Sequence, residues 1–387
     1  MANDISLTGL TELLYQARDQ VAREPTGFIQ GCIVNGGSEG VSIGGTVTSL
    51  RTQEPTAVTS YTPAMTVPAA ADITSAAETM TIDGVAGADI PMKGEQFAQL
   101  AATVGIETAM RQLYAQSIRK MVNLIEAAAG VAIKNGSSRA AGTAGTTPFA
   151  SNFHIINSVR QILEDNGAPV EDGDLSLVIN TTAGTNLRNL TTLTKANEAG
   201  TDATLRRGEM LNISGFSIRS SAGVAAHTKG TGTSYQVNQT GLTNGSTSVT
   251  VDTGSGTAVA GDIITFASGT GSGHNYVVKT GLAAAGTLVL NQPGLRGNIA
   301  ENNAITIGND YTANLGFHKT AVEIAMRPPA QPPTGDIGVQ IAVLTDEKTG
   351  LSFEARLYKG FGMNQIRIIC LYGIKVWKPE FVATLLG

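Results

Sequence analysis

One long stretch of helical periodicity dominates the chain, from about residue 93 to residue 135. Apolar residues recur three or four positions apart, and polar or charged residues fill the positions between them. The stretch contains no proline and is dense in strong helix formers such as Ala, Gln, Glu and Met. We therefore predict a long spine helix, with these residues on its apolar side: Phe97, Leu100, Val104, Met110, Leu113, Met121, Leu124 and Ile125.

Two patterns precede this helix. Residues 5–23 have the spacing of an amphipathic helix, which either packs on its own subunit or lies across a neighbouring one. Residues 46–91 contain two extended runs, and alternation is clear over Thr79–Asp83. Prolines interrupt the first run, which favours an edge strand or a free-standing ribbon over a central strand. Because a two-stranded ribbon is marginally stable alone, we expect it to rest on another surface.

The patterns that follow the helix predict a mixed module, an all-β module and a set of closing strands. Residues 141–228 contain a helical pattern, the buried strand LSLVIN at 175–180 and the strand GFSIRSS at 215–221. Residues 229–308 have short apolar bursts between Gly, Ser and Thr turns, which is typical of a small barrel or sandwich. Three β-rich runs then end the chain, and we expect them to pack against the spine helix.

Composition narrows the class of protein. The chain has 387 residues, of which 42% are hydrophobic, 15% charged and 5% aromatic, with 46 glycines and a net charge of −5. Disordered chains have many charged and few apolar residues, so this composition indicates a folded protein. It suits a surface that meets other protein, since interface cores lose charged residues. The acidic balance argues against nucleic acid as a main partner, because nucleic acid attracts basic surfaces.

The two cysteines and the apolar segments indicate a cytoplasm-like environment. Cys32 and Cys370 lie far apart and outside any paired motif, so we predict buried free thiols. The N-terminal residues have no basic region followed by an apolar run, so we predict no signal peptide. No segment reaches about 18 consecutive apolar residues, so we predict no membrane span.

The sequence contains no arrangement that supports catalysis. No two histidines stand at metal-ligand spacing, and no HExxH, GxSxG or Walker-A pattern occurs. The run Gly269–Gly273 resembles a phosphate-binding loop only in composition, since no helix pattern follows it. We therefore predict no enzyme, no metal and no cofactor. Of the four histidines His154, His227, His274 and His318, we assign a structural role to His154 and His318.

The order of these patterns and four stretches carry a family resemblance. The stretches are the helical pattern at 93–135, GEMLNISGFSIRSS at 208–221, Gly261–Phe266 and RIICLYGIKVWKPEFVATLL at 367–386. Together they resemble the major capsid proteins of tailed bacteriophages of the Hong Kong 97 type. Within that group the chain looks most like the P-twenty-two-type podovirus coat proteins, which carry an all-β insertion domain. The resemblance covers nearly the whole chain, although no single motif is diagnostic.

The resemblance implies an α+β, HK97-like fold with an inserted small β-barrel or sandwich. Its implied segments are an N-terminal arm (1–45), the extended β ribbon or E-loop (46–91), the spine helix of a peripheral domain (92–140), an axial domain (141–228), the all-β insertion domain (229–308), an axial return strand (309–326) and the peripheral strands (327–387).

The resemblance also implies a structural role and partners. The chain would form hexamers and pentamers of an icosahedral shell that encloses double-stranded DNA without sequence-specific binding. No long charged helical segment precedes the arm, so we expect a separate scaffolding protein, together with a portal. The location would be the virion, with assembly in the host cytoplasm and without a membrane.

An interface hypothesis follows from charge. The acidic end of the ribbon would meet the basic side of the spine helix of an adjacent subunit, with these residues in contact: Asp72, Glu78, Asp83, Arg111, Arg119 and Lys120. Two other classes stay open at this point. One is an encapsulin-like compartment shell, and the other is a β-rich tail component or adhesin.

Overall fold

A computed structural model describes residues 26–37, 39–51, 76–95, 98, 106–190, 212–333, 335–336, 338, 340–345 and 350–387. Over these ranges the protein is α+β, mostly sheet with few helices. This confirms the predicted α+β class. The predicted helix at 5–23 and most of the predicted ribbon lie outside the described residues.

The helix predicted at 93–135 is confirmed from residue 106 onward. After a short helix α1 (Phe28–Gly31), helix α2 runs over Ile106–Asn135. Residues 94, 95 and 98 are also helical, whereas Met92 and Lys93 end a strand. A buried stripe recurs every three or four residues along α2 and faces the main core: Met110, Tyr114, Ile118, Met121, Ile125, Ala129 and Ile133.

A six-stranded sheet, here called the spine sheet, packs on this buried stripe. Its strands are β1 (Ile33–Gly36), β4 (Gly84–Lys93), β16 (Val322–Arg327), β17 (Gln340–Thr345), β18 (Ser352–Gly360) and β19 (Met363–Val376). Strand β19 is central, because β4 pairs along one side of it while β18 and then β16 pair along the other. Alternate β19 residues Ile366, Ile368 and Cys370 face the core shared with α2.

A second group of strands carries two further helices. The strand order is β5 (Arg139–Ala141), β20 (Val382–Leu386), β15 (Tyr311–His318), β6 (Leu175–Ile179) and β7 (Phe216–Ser220), and β8 (Ala226–His227) also pairs with β15. Helices α3 (Ile155–Asp165) and α4 (Thr181–Asn189) share its core. The predicted buried strand at 175–180 is confirmed, since every residue of β6 is buried.

The all-β stretch closes on itself as a barrel. Its strands are β9 (Tyr235–Val237), β10 (Ser248–Asp252), β11 (Ile263–Phe266), β12 (Asn275–Thr280), β13 (Gly286–Leu290) and β14 (Ala304–Ile307). All its pairings are antiparallel, and the β11–β12 pairing completes the ring. The barrel encloses a core of its own. Strand β12 also pairs with β5, which joins the barrel to the second group of strands.

The two-stranded ribbon consists of β2 (Thr46–Arg51) and β3 (Ala76–Thr81), which pair in antiparallel fashion. The sequence assigned the whole of 46–91 to the ribbon, but β4 leaves it and pairs with β19 as an edge strand of the spine sheet. The reason is alternation: Ala86, Ile90 and Met92 are buried against the core.

Two expected groupings near the C-terminus differ from the structure. The range 309–326 divides between β15, in the second group of strands, and β16, in the spine sheet. The range 327–387 divides as well, because β20 pairs with β5 and β15. Every residue of β20 is buried, so its apolar run fits the interior of either sheet. Pairing partners far away in sequence decide between the two.

Candidate functional site

The ribbon is seated on the face of the spine sheet opposite α2. We call Thr79–Ile82 the ribbon root. Gly373 in β19 leaves room for it, since a Cβ atom there would lie 2.5 Å from the Thr81 carbonyl oxygen and 3.2 Å from Ile82 Cα. Met80 and Ile82 in the root are buried. The root is therefore fixed by close backbone approach.

A chain of polar contacts also fixes the root. Lys375 Nζ donates to the Thr79 carbonyl oxygen at 2.8 Å and lies 3.6 Å from Glu78 Oε2. The same ammonium sits 4.1 Å from the centre of the Trp377 ring. Trp377 Nε1 in turn donates to Glu323 Oε2 at 2.8 Å. Glu78, which the sequence assigned to a neighbour's helix, is thus paired within its own chain.

The other acidic residues of the interface hypothesis have different positions. Asp83 lies in the turn between β3 and β4 and is exposed. Asp72 lies outside the described residues. Of the two acidic residues of the hypothesis that the structure describes, Asp83, next to the ribbon root, is open to solvent, whereas Glu78 is paired with Lys375.

The three basic residues do not form one face of α2. At about 100° per residue, Arg111 and Lys120 lie about 180° apart around the helix. Lys120 is exposed, while Arg111 and Arg119 are half-buried. Arg111 Nε is buried without a hydrogen-bond partner in the described part of the chain. Lys120 is therefore the basic residue of the hypothesis that faces solvent.

An exposed apolar stripe, which the sequence reading missed, runs along α2. Leu113, Leu124 and Val131 are 43%, 48% and 44% exposed, and Lys120 lies between them. We call these four residues the helix stripe. They fall within about 40° around the helix and span about 27 Å. The sequence pattern placed Leu113 and Leu124 on the apolar side of the helix together with Met121. The helix has two apolar stripes whose residues alternate along the sequence, and the stripe that contains Met121 is the buried one.

A buried carboxylate holds the chain that leads out of the N-terminal region. Glu126 in α2 accepts hydrogen bonds from the backbone N–H groups of Gly27, Phe28 and Ile29 at 2.6, 2.8 and 3.0 Å. It also accepts from Ser221 Oγ at 2.7 Å. The carboxylate therefore accepts from the N–H groups at the start of α1, which have no partner within the helix. Helix α2 thus fixes the position of α1.

Both cysteines are free and buried, as predicted. Burial raises the pKa of the Cys370 thiol to about 12, and burial together with the Glu126 carboxylate raises the pKa of Cys32 above its ordinary value. Thiols in this state are protonated at neutral pH and are poor nucleophiles. Their side chains act as small apolar groups in the core around α2.

The described residues hold neither a metal cluster nor a membrane-spanning helix. Within the described ranges, no group of three or more His, Cys, Asp or Glu side chains is placed to hold a metal ion. Across the same residues, no helix combines the length and apolar character needed to span a bilayer.

Comparisons with known proteins gave structural matches only. No protein-family model matches the chain, and no curated protein sequence matches it. Its structure is similar to that of the cyanophage P-SCSP1u capsid, with 14% identity, a TM-score of 0.49, and coverage of 94% of this chain and 88% of that one.

Two further structures show the same level of likeness. A structure from Mycobacterium phage Che8 has 16% identity and a TM-score of 0.47, over 88% of this chain and 84% of that one. The capsid of a native GTA particle has 12% identity and a TM-score of 0.46, over 95% and 91%. At these identities and TM-scores the likeness establishes no function, so the function proposed next is based on the chain's own geometry.

Proposed function

We propose that the chain is the major capsid subunit of a tailed bacteriophage, with an HK97-like fold. The observation that carries this proposal is the ribbon: two paired strands whose root is seated on the spine sheet. A two-stranded ribbon is marginal in water, and its open strand edges invite pairing with other chains. Assembly with further copies would cover those edges.

The helix stripe supports the same proposal. Large apolar side chains at three positions on one exposed face of a long helix favour contact with another protein surface. The low charge of the chain agrees with this, because interface cores are depleted of charged residues. The proposed occupant of the stripe is the ribbon of an adjacent subunit.

This pairing revises the interface hypothesis residue by residue. Lys120 would meet the acidic end of the neighbouring ribbon, where Asp72 and Asp83 belong to the proposed contact. Glu78, already paired with Lys375, would position its own ribbon. Arg111 and Arg119 would lie outside the contact, since they are about 180° and 100° from Lys120 around the helix.

The module assignment is part of the proposal. The spine sheet with α2 would be the peripheral domain, the second group of strands the axial domain, and the barrel an insertion domain of the podovirus P-twenty-two type. Of the predicted arm (1–45), the residues before α1 would reach a neighbour, since Glu126 holds α1 and β1 belongs to the spine sheet. The subunits would form hexamers and pentamers around packaged DNA, with a separate scaffolding protein and a portal, in the virion.

Negative-stain microscopy and analytical ultracentrifugation of the purified protein test the function. We expect closed shells or rings of subunits. A protein that stays monomeric at every concentration and salt condition would overturn the proposal.

The helix stripe has a test of its own in Leu124→Lys and Lys120→Glu. Both residues are exposed, so we expect the free energy of unfolding of the subunit to change by less than about 0.5 kcal/mol while assembly falls sharply. Gln112→Lys is the matched control, because Gln112 is exposed on α2 but lies about 100° away from Leu113. Variants of the stripe that assemble like the control would contradict the proposed contact.

A further inference from the structure

Three buried ionisable side chains connect α2 to the barrel. Lys134 Nζ, in the last turn of α2, lies 2.8 Å from His227 Nδ1. His227 Nε2 lies 2.8 Å from Asp262 Oδ1, at the start of β11. All three residues are less than a tenth exposed. The proposed capsid function makes no use of this chain of contacts.

The loop around Asp262 positions the carboxylate for its contact with His227. The Asp262 carboxylate accepts hydrogen bonds from the backbone N–H groups of Gly230 at 3.0 Å and Val259 at 2.8 Å. Gly261 has a positive φ of 95°, and a Cβ atom there would lie 2.9 Å from Lys134 Nζ and 3.2 Å from His227 Cε1. A glycine is needed at this position both for the backbone angle and for the space.

Hydrogen-bond chemistry defines the charge state of the three groups at neutral pH. A lysine ammonium can only donate, and a carboxylate can only accept. The imidazole between them is then neutral, with its proton on Nε2 and with Nδ1 accepting from Lys134. One further proton would put a second positive charge 2.8 Å from the Lys134 ammonium in a buried site. It would also remove the acceptor on which Lys134 depends.

We propose that Lys134, His227 and Asp262 form an acid-sensitive latch between α2 and the barrel, which opens when His227 takes up a proton. The released segments would be β8 with residues 228–230 and the loop 258–262. The rest of the barrel stays attached through β12, which pairs with β5, and through Asn291 Nδ2, which donates to the Asn135 and Ser137 carbonyl oxygens at 2.8 Å.

Within the described residues, no buried charged side chain other than Lys134 and Asp262 contacts His227. The Tyr311 ring, from β15, lies 5.0 Å away and its hydroxyl donates to the Gly261 carbonyl oxygen at 2.6 Å. Burial raises the pKa of Tyr311, so this hydroxyl stays neutral. Asp310 at the exposed rim accepts from the backbone N–H of Lys229 at 2.8 Å. Burial lowers the pKa of Lys134, whereas Asp262 opposes that change, so the carboxylate balances one positive charge and a second is left over.

The sign of the pH dependence follows. An exposed histidine protonates below about pH 6.5, so the open latch binds more protons than the closed one in acid. The closed state is then lost as the pH falls, by at most about tenfold in the opening equilibrium per pH unit for one proton.

Hydrogen–deuterium exchange of the full chain at pH 7.5 and 5.5, corrected for intrinsic exchange rates, tests the latch. We expect peptides covering 226–231 and 258–263 to lose protection in acid, by up to about tenfold per pH unit. Peptides covering β10 and β13 serve as an internal control, since these strands lie on another part of the ring, and their protection should not change.

Two variants separate the latch from general acid effects. His227→Gln cannot take up the proton, so the acid-induced loss should disappear. Lys134→Met removes the first positive charge, so a protonated His227 would pair with Asp262 and the loss should again disappear. His154→Gln, at an exposed histidine, should keep the wild-type behaviour.

The latch proposal is independent of assembly, because exchange is measured within the subunit. Unchanged protection of both peptides in the wild-type protein would overturn it, and so would a loss of equal size in His227→Gln. If both variants fail to fold, the wild-type profile alone still decides.

Discussion

The ribbon and the barrel are both antiparallel β structures, but they treat their strand edges in opposite ways. The barrel joins β11 to β12, so the ring closes and encloses its own core. The ribbon has two strands, and Gly373 and Lys375 of the spine sheet contact its root. In a closed barrel the backbone N–H and C=O groups of every strand pair within one chain. In an open ribbon the outer N–H and C=O groups are available to pair with another chain.

This difference indicates where stability and assembly reside in the molecule. Side chains in the barrel contribute mainly to the free energy of unfolding of the subunit. Side chains on the helix stripe contribute little to the subunit and much to contact between subunits, whereas the ribbon root, with buried Met80 and Ile82, contributes to both. Substitutions in each region can separate these two contributions.

The largest loss of subunit stability is expected for Ile264→Ala. Ile264 is fully buried in β11 and pairs with both Tyr276 and Ile307, where the barrel closes. Removal of its buried atoms should cost about 2–5 kcal/mol in free energy of unfolding, measured in urea. Thr265→Ala, the next residue in the same strand, should cost no more than about 1 kcal/mol. Equal losses for both would show that closure contributes nothing.

A smaller loss is expected for Gly373→Ala at the seat of the ribbon. The added methyl group would lie 2.5 Å from the Thr81 carbonyl oxygen, so the root must shift. Overpacking of this kind costs about 1–3 kcal/mol, and the displaced ribbon should reduce assembly further than the stability loss explains.

Gly87→Ala is the matched control for this substitution. Gly87 lies in the neighbouring strand β4, and a Cβ atom there would meet nothing closer than 3.7 Å. We expect no destabilisation and normal assembly. Normal assembly of Gly373→Ala as well would contradict a role for the seat.

The smallest effect on the subunit is expected for Glu78→Gln. Its ion pair with Lys375 is 3.6 Å long and both side chains are about one-third exposed. Such a pair contributes about 0.2–1 kcal/mol, less at high salt. Because the pair orients the ribbon, assembly at low salt should weaken more than stability does. The control is Asp89→Asn, which removes the exposed pair with Arg367 at 3.3 Å away from the ribbon. Equal assembly of the two variants would exclude an orienting role.

Local patterns predicted most of the elements. The spacing of Met110, Met121 and Ile125 indicated the long helix, and the run at 175–180 indicated a buried strand, because both signals depend on residues close in sequence. Turn residues at short intervals likewise predicted a small all-β module between 229 and 308, and the structure shows a closed barrel there.

The buried face of each element, and its contacts with residues distant in sequence, were harder to predict. Leu113 and Leu124 have the same apolar character as Met121, yet they face solvent, because the helix has two apolar stripes and the spine sheet covers only one. The latch joins residues 134, 227 and 262, and no local spacing connects them.

The sequence by itself determined the long helix, the β-rich inserted module and the α+β class, since these follow from periodicity and turn chemistry. Only the tertiary structure decided that β4 and β16 enter the spine sheet, that β20 joins β5 and β15, and that Glu78 pairs within its own chain. The physical reason is that apolar strands of similar composition fit more than one sheet. Their partners are selected by packing between residues far apart in the chain.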